Sequence, residues 1–95
     1  MSSGFGVEKI KAVVSDGSVK VRWFNKIMVR EVFFNEIEGI YLKKYEIIIG
    51  RLGKSAIKFR MDFLEVKQRA EVYDFFISLS TEKGLNLVRQ FDSQV

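Results

Sequence analysis

Lysine and arginine recur in this chain at spacings that could hold an anion. Lys9 and Lys11, then Lys20 and Arg22 beyond an Asp16-Gly17 dipeptide, form one patch of four cations if the two segments pair as neighbouring strands. That pairing puts Lys11 directly across from Arg22, and like charges so opposed repel unless an anion sits between them. The plainer reading is a solvated strand face on which Glu31 neutralises Lys20. A secondary basic patch comprises Arg51, Lys54, Lys58 and Arg60. Within it, Gly50-Arg51-Leu52-Gly53-Lys54-Ser55 has the residues of a phosphate loop but not the spacing. G-x-x-x-x-G-K-S requires glycine at position 48, where Ile48 stands, and a β-like segment follows instead of a helix. A hairpin turn with at most a weak anion nest is the expectation there.

Aromatic residues interleave with the cations: Trp23, Phe24, Tyr41, Tyr45 and Phe59 among Lys20, Arg22, Lys43, Lys44, Lys58 and Arg60. Exposed aromatics on a basic sheet can stack bases, whereas the same residues in so small a chain are needed for its core. Catalytic chemistry has little to stand on. There is no histidine and no cysteine, and Glu36 and Glu38 are flanked by Ile and Gly without an evident base or metal partner. The sequence therefore predicts a non-enzyme with no metal and no cofactor. Phe75, Leu79, Leu87 and Phe91 are apolar in excess of what one helix face against a sheet requires, and they mark a candidate protein interface.

Composition bounds what can position these residues. The chain has 95 residues, 47% of them hydrophobic with nine phenylalanines, enough for one core and one domain. Absence of cysteine rules out a disulfide scaffold and suits a reducing cytosol. Apolar runs stop at about three residues, far short of the roughly 20 that a spanning helix needs. The start, Met1-Ser2-Ser3-Gly4-Phe5-Gly6, lacks the features of a signal peptide and reads as a disordered arm over residues 1–6. Net charge is +4, unevenly spread. Residues 9–30 carry six Lys/Arg against Asp16 alone, and residues 41–60 carry six against Glu46 alone. Asp62, Glu65, Glu71, Asp74 and Glu82 gather beyond them, so the predicted sheet is basic and the predicted helix acidic. Such polarity suits an anionic partner at the sheet, or sheet-to-helix self-association.

The elements follow from pattern. Asp16-Gly17 between alternating segments predicts a hairpin with a type I′ turn, which needs φ > 0 at both residues. Val14 then faces Val19, Ala12 faces Val21 and Ile10 faces Trp23 on a wholly apolar side. A turn at Asn25-Lys26 leads to a strand ending near Phe34, with Glu31 opposite Lys20 and Trp23 opposite Met28, and with Arg30 on the core side unless the register slips. Ile37–Leu42, Tyr45–Ile49 and Ser55–Met61 continue a β-meander spanning residues 8–61. A helix over 62–83 is predicted to open at Asp62, with Glu65 completing a capping box, and to end before Gly84. Its apolar stripe is predicted as Phe63, Val66, Ala70, Tyr73, Phe76 and Ile77, widened by Val72 and Leu79. Residues 85–91 form an extra strand-like tail.

A β-meander closed by one long helix resembles the pleckstrin-homology-like domains, in particular the compact prokaryotic type, over about residues 8–80. Phe33-Phe34-Asn35-Glu36-Ile37-Glu38-Gly39-Ile40 resembles one of their strand starts. Met61-Asp62-Phe63 before a helix carrying Val72, Phe76 and Leu79 is similar to their approach to the closing helix. The resemblance implies an α+β fold. About six to seven antiparallel strands would lie in two packed sheets, a partly open barrel capped by the C-terminal amphipathic helix. It also implies a role for Lys11, Lys20 and Arg22, because family members that bind phosphoinositides place cations in a Lys-x(n)-Lys/Arg-x-Arg pattern on their first two strands. The expectation is thus a non-catalytic, cytoplasmic interaction module, peripheral to a membrane at most. It would bind a protein partner or itself as a homo-oligomer, with weak contact to anionic membrane or phospholipid. The alternative is a small basic β-domain that binds nucleic acid.

Overall fold

A computed structural model describes residues 3–7, 10–23 and 28–90 of the chain. Lys9, Phe24, the Asn25-Lys26 turn and Phe91 lie outside the described residues. Residue contacts divide the chain into two compact units, Met1–Glu36 and Ile37–Val95.

The first unit is a four-stranded antiparallel meander of β1 (Ser3–Val7), β2 (Ile10–Val14), β3 (Ser18–Trp23) and β4 (Met28–Phe33), in that order, followed by a 3₁₀ turn at Phe34–Glu36. β2 and β3 pair in the register expected from the Asp-Gly turn: Lys11 with Arg22, Ala12 with Val21 and Val14 with Val19. Strict alternation buries Ile10, Ala12, Val14, Val19, Val21 and Trp23. β4 joins with Glu31 opposite Lys20 and Trp23 opposite Met28. Val32 is buried, while Arg30, paired with Val21, is exposed.

Two expectations need correcting here. Residues 3–7 form β1, paired with β2 from Ser3↔Val14 to Val7↔Ile10, where a disordered arm was expected. Backbone pairing holds this strand, so its two glycines do not prevent it. The Asp16-Gly17 turn keeps its register without type I′ geometry, because the glycines with positive φ are Gly53 and Gly84, not Gly17. Ser15 N–H donates to Ser18 O at 2.8 Å, and Gly17 O is drawn toward β4, accepting Phe34 N–H at 3.0 Å.

The second unit orders β5 (Ile37–Leu42), β6 (Glu46–Arg51), β7 (Lys54–Arg60), α1 (Val66–Lys83) and β8 (Leu87–Arg89) into a sheet β7-β6-β5-β8 beside one helix. β5, β6 and β7 are antiparallel neighbours. β8 is parallel to β5, since α1 returns the chain in the same direction. Ile40 N–H donates to Asn86 O at 2.8 Å and Gln90 N–H to Leu42 O at 2.7 Å. The core holds Ile40, Leu42, Ile47, Ile49, Ile57 and Phe59. The described residues are thus an α+β chain with seven strands before the helix and a short eighth after it. Each sheet keeps two edge strands, so neither closes on itself as a barrel.

The helix cap falls three residues later than predicted, at Glu65 instead of Asp62. Met61 and Leu64 are both buried, and Leu64 N–H donates to Met61 O at 3.0 Å, closing a turn that occupies the predicted first helical positions. Asp62 pairs with Arg60 instead of capping. Glu65 is the N-cap, and its N–H donates to Gln68 Oε1 at 3.1 Å. Phe76 of the predicted stripe is buried, together with Val72 and Leu79, the two residues expected to widen it. Val66 and Ala70, assigned to that stripe, are exposed.

Glycine is required at the β6–β7 turn, where Gly53 has φ 68°. Gly53→Ala should lower stability by about 1 kcal/mol, the left-handed penalty. Gly17→Ala should raise it by about 0.4–1 kcal/mol, because a Cβ there meets nothing within 4 Å at an unstrained φ. Paired thermal melts read both signs, and destabilisation by Gly17→Ala would return that turn to the type I′ geometry.

Candidate functional site

Burial of one side of β2, β3 and β4 turns the intervening residues to the opposite face. Lys11 and Val13 project from β2, Lys20 and Arg22 from β3, and Val29, Glu31 and Phe33 from β4, all exposed. Strand register sets them in two rows. One runs Gly6, Lys11, Arg22, Val29, and the other Gly4, Val13, Lys20, Glu31. Both β1 positions on this face are glycine, so the edge beside Lys11 and Val13 is bare backbone. Val13 and Val29 are each 51% exposed and Phe33 48%, unusual for apolar side chains of this size on a strand.

The carboxylate on this face is partly engaged. Ser18 Oγ, itself buried, donates to Glu31 Oε2 at 2.8 Å. Glu31 thus lies opposite Lys20 in register while one of its oxygens is held by the serine. The surface is cationic with apolar flanks, and Lys11 and Arg22 stand as the opposed pair the sequence predicts.

The secondary patch is not a single cluster. Arg51 and Lys54 flank the turn at one end of the β6–β7 hairpin, with Arg51 Nε donating to Ser55 O at 2.9 Å. Lys58 and Arg60 point outward farther along β7, about 20 Å from end to end of the strand. Arg60 Nη2 lies 3.0 Å from Asp62 Oδ2. The predicted helix-and-tail interface also comes apart. Leu79 is buried in the core, so it offers no surface. Phe75 is half-buried and packs edge-on to Phe76 with ring centroids 5.1 Å apart. Leu87 is half-buried in β8, paired with Ile40.

The aromatic set likewise divides. Trp23 and Phe59 are core residues. Tyr41 lies over the cross-strand pair Gly39 and Gly50, where a Cβ on Gly39 would come within 3.2 Å of its hydroxyl. Tyr45 is exposed and takes part in a cluster that sequence reasoning missed. Arg69 Cζ lies 4.9 Å and Lys44 Nζ 5.5 Å from its ring centroid, both within cation–π range. Tyr73 Oη donates toward Lys43 O (2.7 Å) and Lys44 O (2.6 Å), tying α1 to the β5–β6 turn. Burial pushes the Tyr73 phenol above its ordinary value of 10.0. The Arg69 charge opposes this rise and Tyr45 adds to it. The unfolded chain therefore releases this proton first, and the fold loses stability as pH climbs past about 10.

Among the described residues no three His, Cys, Asp or Glu side chains converge on a metal-sized site. No helix among them is long and apolar enough to cross a membrane. Comparison with protein-family models, with characterised proteins and with solved structures returns no match.

Proposed function

We propose that this chain is a non-catalytic, cytoplasmic interaction module of the pleckstrin-homology-like type. It binds a protein partner or a second copy of itself, and Lys11, Lys20 and Arg22 add affinity for anionic surfaces. The order of elements supports the family reading: a four-stranded meander, a three-stranded meander, then one capped helix. β8 is an addition to that pattern.

The observation that carries the functional reading is the outer face of β2–β4. Three exposed cations stand within two strand spacings of one another, beside three half-exposed apolar side chains. Each basic residue near an anionic membrane contributes about 1 kcal/mol, so three together give weak, salt-sensitive attraction. Co-sedimentation with vesicles of mixed zwitterionic and anionic phospholipid tests this. The variant Lys11→Ala/Lys20→Ala/Arg22→Ala should bind up to about 100-fold more weakly than the unaltered chain. Equal binding by both would remove the patch from the reading.

A nucleic-acid reading keeps one specific support, Tyr45. It is exposed and stands with two cations, Lys44 and Arg69, that can meet phosphates.

A further inference from the structure

The bare edge of the first sheet, its cations and the outward side of the helix fit one explanation. On α1, Lys67, Glu71, Asp74, Ser78 and Glu82 recur at helical spacing and are all exposed. They form a stripe with three carboxylates and one cation. From Glu71 to Glu82 it runs about 16 Å. Glu71 and Asp74 are one turn apart, with Cβ atoms about 5–6 Å from each other. On β2 and β3, Lys11 and Arg22 are directly opposed at about 5 Å. Lys20 follows Arg22 along the same face at about 7 Å. The two spacings are commensurate, and the charges are opposite.

Shape adds to charge. A helix with its side chains is about 10–12 Å across and needs a clear floor to approach a sheet. Gly4 and Gly6 supply one, since β1 sets no side chain on this face beside Val13 and Lys11. Glycine inside a strand often marks a place where another backbone comes close. Ala70, exposed at the border of the stripe, supplies apolar surface to meet Val13, Val29 and Phe33.

We infer that the outer face of β1–β4 seats the acidic stripe of α1 from a second copy of this chain. This deepens the proposed function, on which it rests, by naming the partner. A contact between unlike surfaces either closes in pairs around a twofold axis or propagates from copy to copy. The association weakens as salt rises from about 0.1 M to about 1 M, over which the screening length falls from about 10 Å to about 3 Å.

The test is sedimentation velocity across a concentration series, on the full chain and two charge-reversed variants. Lys20→Glu/Arg22→Glu and Glu71→Lys/Asp74→Lys should each self-associate at least about tenfold more weakly. Mixed in equal amounts the two variants should associate again, because every sheet face then meets a helix of opposite charge. Loss of folding cannot produce that recovery, and circular dichroism of each variant checks it independently. A chain that stays monomeric throughout, or variants that fail to recover on mixing, overturns the pairing. A monomer whose vesicle binding still depends on Lys11, Lys20 and Arg22 overturns it while leaving the anionic-surface reading in place. A monomer without vesicle binding overturns both.

Discussion

Phe76→Ala lowers the stability of this chain by about 3–5 kcal/mol, whereas Val66→Ala changes it by less than about 0.5 kcal/mol. Phe76 is 1% exposed, and Val72 and Leu79 lie on the same side of α1 one turn before and after it, equally shielded. Truncating its ring removes the transfer free energy of a large side chain and leaves a cavity that neighbours on a sheet and a helix cannot fill. Val66 is 72% exposed, so its methyl groups are already in water. A chain of this length has a total stability on the order of 5–15 kcal/mol, so the first substitution removes a large share of it. Urea unfolding reads both changes as shifts in midpoint at constant slope. Equal costs for the two would mean that Val66 is buried beside Phe76, as the sequence pattern predicts for both.

That pattern holds at Val72, Phe76 and Leu79 and fails at its N-terminal end for an identifiable reason. Phe63, Val66, Ala70, Tyr73, Phe76 and Ile77 do fall on one helical stripe, but Phe63 belongs to the turn before the helix and Val66 to its first residue. With the Met61–Leu64 turn removed, Val72, Phe76 and Leu79 remain as the densest apolar row. Asp62 misled in the same way, since Asp is a better cap than Glu by itself. The turn buries Met61 and Leu64, and that gain sets the helix start at Glu65. The register of β2 with β3 was legible because turn chemistry and alternation agree there. A glycine without positive φ achieves the same register, so the pairing is carried by the apolar face more than by the turn.

The candidate surface was half legible. Lys11, Lys20 and Arg22 follow from register alone, and Glu31 with them. The bare edge at β1 was not, because Ser3-Gly4-Phe5-Gly6-Val7 has neither β-branched density nor a polar alternation to mark a strand. The Tyr45 cluster was also hidden. Tyr73 reaches the Lys43 carbonyl from 30 residues away, a tertiary approach that no local spacing encodes.

Trp23 decides between the core and the base-stacking interpretations of the aromatic residues. It is the single tryptophan of the chain and 3% exposed on the buried side of β3. Its emission should therefore be blue-shifted in the folded chain, resistant to a soluble quencher, and red-shifted on unfolding in urea. Trp23→Ala should cost about 3–5 kcal/mol, comparable to Phe76→Ala, while Trp23→Phe retains most of the buried area and costs less. Single-stranded RNA or DNA added at low salt should leave the folded emission unchanged, even if Tyr45 with Lys44 and Arg69 retains the nucleic acid in a gel shift. Strong quenching by the oligonucleotide would mean that the indole leaves the core to stack. The buried side of β3, and with it the assignment of Lys20 and Arg22 to the outer face, would then have to be redrawn, because adjacent strand residues cannot share one side.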